Sequence, residues 1–173
     1  MTEKPYTLDP TEKATPVMIG TADMLMWGDL ITKQAVRMSA FLNTLAEDFV
    51  PLHDAKVLFL APRRQVNPVE RSVVYVKLEE ILIFFSMAGD EPLPEESEVR
   101  RYDPMEAAVG SFRVEGQLLK SPIATLQNLL IVSKDAYMPF YHATVHHAGN
   151  PWLGSFASDV VQLRRDSMTV IVP

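Results

Sequence analysis

The chain reads as a mainly β (α+β) protein made of two tandem homologous units, each a small barrel-like or rolled β-sheet with one short α-helix. Three observations predict this: an internal repeat, strand-like alternation of apolar residues in both copies, and one segment per copy where apolar residues recur every three or four positions.

A shift of 88 residues lays Gly28 on Gly116 and Leu30 on Leu118, and the register holds through Leu42 on Leu130, Pro51 on Pro139, Ala55 on Ala143 and Val57 on Val145. After a loop, a shift of 87 pairs Val74 with Val161, Val76 with Leu163, Ile81 with Met168, Ile83 with Val170 and Phe85 with Val172. One residue of length change in a surface loop costs little. Strand periodicity alone can align hydrophobic residues, but it does not readily align Gly, Pro and Ala landmarks with them. The expected organisation is a flexible arm over 1–16, a first unit over 17–87, an acidic proline-containing linker over 88–106 and a second unit over 107–173.

Each unit opens with strand segments, Val17 to Ile31 and Ala107 to Leu119. Met24, Met26, Gly28 and Leu30 share one face at period two, as do Phe112, Val114, Gly116 and Leu118, and the paired glycines mark a bend or bulge. A helix follows, with Ala35, Met38, Phe41, Leu42 and Leu45 on one face, matched by Ile123, Leu126, Leu129 and Leu130. Ser121-Pro122 supplies an expected N-cap and first helical position in the second unit. A third strand runs from Phe49 to about Phe59, and from Tyr137 to about His147. A closing hairpin is expected over Val73 to Phe85, turning near Leu78-Glu79-Glu80, and over Asp159 to Val172, turning near Arg165-Asp166.

At these landmarks the chain resembles an uncharacterised bacterial family of short β-rich domains of unknown function, here as two copies. The motifs are Gly28-Asp29-Leu30, Phe41-Leu42-Asn43 and Phe49-Val50-Pro51-Leu52-His53-Asp54-Ala55-Lys56-Val57. The second unit keeps Gly116-Gln117-Leu118 and the stretch from Tyr137 to Val145, with Ile131 in place of the Asn. The resemblance implies no activity. A more distant likeness is to the small Sm-like barrels, which begin with their helix and commonly bind RNA. Here the helix follows the first strands and the charge is acidic.

Hydrophobic residues make up 47% of the chain and charged residues 22%, which places it among folded globular proteins. The net charge of −6 disfavours nonspecific nucleic-acid binding, which needs Lys and Arg to displace counterions. With no cysteines there are no disulfides, thiolate metal sites or cysteine nucleophiles. The polar N-terminal stretch lacks the apolar core of a signal peptide, and the run Ile81 to Phe85 is far short of a membrane span, so a soluble cytoplasmic protein is expected.

Four features are candidate sites. Arg63, Arg64 and Arg71 make one loop basic and are candidates for binding a small anion or nucleotide. Trp152 and Leu153 are candidate partner contacts, with packing over the domain's own core as the alternative reading for the tryptophan. His142 and His146 are weak metal candidates: on one strand face they would lie about 13 Å apart, too far for one ion without a ligand from another strand. His147 would face the other way. No named catalytic motif is present, and no cofactor is implied. The leading expectation is a non-catalytic protein-interaction or self-assembly module. An anion-binding or nucleotide-binding sensor is the alternative, and a metal-dependent hydrolase comes third.

Overall fold

The computed structural model describes residues 6–60, 67–87 and 92–172. Among these residues ten strands join in antiparallel pairs: β1 (Glu12–Gly20), β2 (Met24–Lys33), β3 (Phe49–Phe59), β4 (Val69–Lys77), β5 (Ile83–Ser86), β6 (Arg101–Val109), β7 (Phe112–Lys120), β8 (Tyr137–His147), β9 (Ser155–Arg164) and β10 (Met168–Ile171). Two helices, α1 (Phe41–Thr44) and α2 (Leu126–Val132), connect β2 to β3 and β7 to β8. The strands lie in one sheet in the order β10-β6-β7-β8-β9-β5-β1-β2-β3-β4. Among the described residues no helix is long and apolar enough to cross a membrane.

This architecture corrects the expected fold of two barrel-like or rolled units with a helix each. Closing a unit on itself would require β4 hydrogen-bonded to β5. Instead β5 uses one edge for β1 and the other for β9, where Ile83 faces Leu163 and Phe84 faces Gln162. The result is one open sheet.

The expected closing hairpins are absent for the same reason. Leu78–Glu80 and Arg165–Ser167 are single 3₁₀ turns flanked by extended residues, and the strands before and after each turn pair with other partners. The helical content is also smaller than expected. α1 is one four-residue turn behind a 3₁₀ turn at Met38–Ala40, and neither has a side-chain cap to hold its free amides. α2 is capped by Thr125, whose hydroxyl accepts from the Asn128 amide at 3.2 Å, and not by Ser121. β1 takes in residues 12–16 and β6 residues 101–106, so acidic Asp103 pairs with Lys120 at 2.6 Å and Glu106 pairs with Arg113.

The paired glycines sit at bulges. Trp27 faces Lys56 while Asp29 faces His53, so Gly28 opposes both Asp54 and Ala55. Glu115 faces Thr144 while Gln117 faces Tyr141, so Gly116 opposes both His142 and Ala143. The extra residues, Asp54 at φ 46° and His142 at φ 48°, take left-handed backbone. A Cβ on Gly28 would lie 2.5 Å from the His53 carbonyl oxygen, too close for any side chain, so only glycine lets β3 cross here. Each bulge bends and twists its strand.

Apolar residues collect in two cores, and each borrows from the opposite half of the chain. Tyr137 belongs to the first core with Ile19, Leu30 and Leu52. Ile83 and Phe85 belong to the second with Phe112, Phe140 and Val161. The halves therefore stabilise one another through shared burial as well as through the two-residue β5–β9 ladder.

Candidate functional site

Of the basic loop, Arg63 and Arg64 lie outside the described residues. Arg71 is exposed on β4, donating to the Glu70 carbonyl oxygen at 2.7 Å, beside the Lys56–Glu70 ion pair at 3.5 Å. The histidines are separated by environment. His142 is exposed at its bulge with its ring 5.4 Å from that of Tyr102, and His146 is half-buried opposite Arg113 and Ser155. Among the described residues no three His, Asp or Glu side chains come together to hold a metal.

His147 faces the other way from His146, as the strand alternation predicts, and is buried. Trp152 and Leu153 lie in a 3₁₀ turn and pack against the second core. Trp152 Nε1 donates to Asn150 Oδ1 at 3.1 Å, which orients the amide so that Nδ2 faces His147 Nδ1 at 3.2 Å. That contact makes Nδ1 the acceptor and leaves the ring proton on Nε2, which is buried without a partner. Burial pushes the imidazole pKa below its ordinary value. Trp152 is thus tied into a buried polar chain, with its ring partly covered.

The seam between the halves is held by directional bonds that carry no sequence motif. Asn43 in α1 clamps the backbone of Tyr137: its Nδ2 donates to the Tyr137 carbonyl and its Oδ1 accepts from the Tyr137 amide, both at 2.9 Å. The Tyr137 hydroxyl donates to the Leu78 carbonyl at 2.7 Å, and burial pushes the phenol pKa up. Gln162 Nε2 donates to the Met38 carbonyl, and Phe84 stacks on Phe41 with ring centroids 5.9 Å apart. Where β5 and β9 part, a cleft of about 410 Å³ opens, lined by residues that include Phe84, Ser86, His142, Ser158 and Gln162. Its lining mixes polar side chains, among them Ser86, His142, Ser158 and Asp159, with apolar ones such as Phe84 and Phe85.

The two ends of the sheet differ from the seam. Among the described residues, β4 and β10 each leave one edge unpaired. On and beside those edges stand large apolar side chains in water: Tyr75 is 63% exposed, Phe49 47%, Ile171 45% and Val172 61%. α2 buries none of its residues fully, and Ile131 and Val132 at its end are exposed, whereas Met38, Phe41 and Leu42 in the segment ending at α1 are all buried. Sequence reasoning missed both features. The seam depends on strand order, and exposure of a hydrophobic residue leaves no mark on an alternating pattern.

In comparisons with family models, curated proteins and solved structures, nothing matches this chain.

Proposed function

We propose that the chain is a non-catalytic protein-interaction and self-assembly module that works through the two open ends of its sheet. The observation that carries this reading is that each end strand, unpaired on one side among the described residues, carries an exposed apolar side chain, Tyr75 on β4 and Ile171 on β10, with exposed Phe49 and Val172 beside them. An edge of that kind gains both ladder hydrogen bonds and apolar burial when another strand adds to it. Isolated exposed hydrophobic residues are ordinary on any surface, whereas a cluster on an unpaired edge marks a contact site.

Hydrogen exchange tests the reading. Outward-facing amides of Val73–Lys77 and Met168–Ile171 should exchange more slowly as the pure protein is raised from micromolar to near-millimolar concentration, or when an extract of the organism that makes it is added. Unchanged exchange at both ends in both conditions would remove the proposal.

A further inference from the structure

We infer that the occupant of each open end is a second copy of this chain, with β10 of one copy paired to β4 of the next in the register that already joins β5 to β9. The inference rests on the interaction-module reading above and names its partner and geometry. The argument begins from the order of the sheet. It runs β5-β1-β2-β3-β4 through the first half and β10-β6-β7-β8-β9 through the second, and the halves meet where β5 lies on β9. By position within each half, β10 matches β5 and β4 matches β9. The molecule therefore carries one completed junction of this type and, at its two ends, the two unmatched surfaces of another.

The residues agree with that placement. The alignment that sets Ile83 on Val170 and Val76 on Leu163 converts the observed pairs Ile83–Leu163 and Phe84–Gln162 into Val170 opposite Val76 and Ile171 opposite Tyr75. At the seam Phe84 and Gln162 are each 1% exposed, while Ile171 is 45% and Tyr75 63% exposed. The same holds one layer out. Tyr137, buried at the seam beneath Asn43, has exposed Phe49 as its counterpart, and Asn43 has exposed Ile131. α1 and the turn before it cover the β5–β9 seam, and the corresponding α2 waits uncovered beside β10.

Chemistry also separates the two junctions. Where the seam uses Asn43, Gln162 and the Tyr137 hydroxyl, the ends offer Ile131, Tyr75 and Phe49. An incoming β10 seated at the seam would leave those polar groups without partners, so the seam disfavours it and the β4 edge receives it. The join uses different surfaces on the two copies, so it propagates head to tail and either closes into a ring or runs on as a filament.

Cysteine cross-linking decides the geometry, because the chain has no cysteine of its own. Ile171→Cys and Tyr75→Cys are made separately, both at exposed positions, and folding is checked by circular dichroism. Directly opposed residues of an antiparallel pair have Cα atoms about 4.5 or 5.5 Å apart, within disulfide reach. Under mild oxidation the mixture of the two variants should yield a disulfide-linked dimer, and neither variant alone should do so efficiently. Ile171→Lys in the cysteine-free chain should weaken association about tenfold or more by light scattering, with the thermal midpoint of the dissociated chain unchanged. Efficient cross-linking within either single variant would mean a symmetric join and overturn the inference. An oligomer that gives no mixed cross-link overturns it while leaving the interaction-module reading in place. A chain monomeric at every concentration overturns it too, and the reading then survives only if hydrogen exchange shows another protein on these edges.

Discussion

The seam between β5 and β9 and the outer edges of the sheet occupy matching places in the two halves but are finished with different chemistry. At the seam, Tyr137, Phe84 and Gln162 are buried and bonded or stacked; at the edges their counterparts Phe49, Ile171 and Tyr75 face water. The difference teaches where each kind of interaction is useful. Covalent linkage already holds the halves close, so the seam can spend side chains on directional bonds that set register. An edge that pairs with a separate chain, as proposed here, gains more from apolar area, which is less demanding of geometry at first encounter.

The sharpest way to break the comparison is to truncate matched residues. Tyr137→Ala removes a fully buried ring and its hydroxyl bonds, and should cost about 3–5 kcal/mol, read as a lower urea midpoint. Phe49→Ala at the matching place should change the stability of the isolated chain by less than about 0.5 kcal/mol. Equal losses would show that the edge is buried in the chain's ordinary state.

A second pair isolates the clamp. Asn43→Ala leaves the Tyr137 amide and carbonyl without their side-chain partners and should cost about 2 kcal/mol, whereas Ile131→Ala should be close to neutral in the isolated chain. Differential scanning calorimetry of both variants checks this.

The smallest effect is on the pH dependence contributed by one buried imidazole of the second half. His147 has its folded pKa depressed by burial, so its contribution is present above the ordinary imidazole value of 6.5 and is lost as pH falls through the folded pKa. Its counterpart in the first half, Phe59, does not titrate. Urea midpoints at pH 7.5 and 5 should therefore differ more for the native chain than for His147→Phe. An identical difference would show that the imidazole is already solvated.

Much of the local structure was legible in the residues. The third strand of each half runs Phe49–Phe59 and Tyr137–His147, as the alternation and the Pro51 and Pro139 landmarks indicate, and the glycines at 28 and 116 do sit at bulges. Pairing was not legible. Leu78-Glu79-Glu80 has the polarity of a hairpin tip, yet β5 finds its second partner in β9, far along the chain, and no local signal records that choice. Capping went to Thr125 because its hydroxyl reaches the Asn128 amide, a distinction that the two nearby hydroxyl residues do not announce. His147 follows His146 on a strand, so one of the two had to turn inward, and only the Asn150–Trp152 turn shows how the buried ring is accommodated.

The seam also sets the valence of the molecule. If the ends pair as proposed, a closed seam leaves each polypeptide with two connectable edges, which permits linear growth or closure and nothing else. Were the Asn43–Tyr137 clasp to open, each half would present a pair of edges, and the polypeptide joining them would become a branch point with four. Branch points turn growing chains into gels, so in the assembly proposed above two hydrogen bonds from one asparagine help decide whether growth stays orderly.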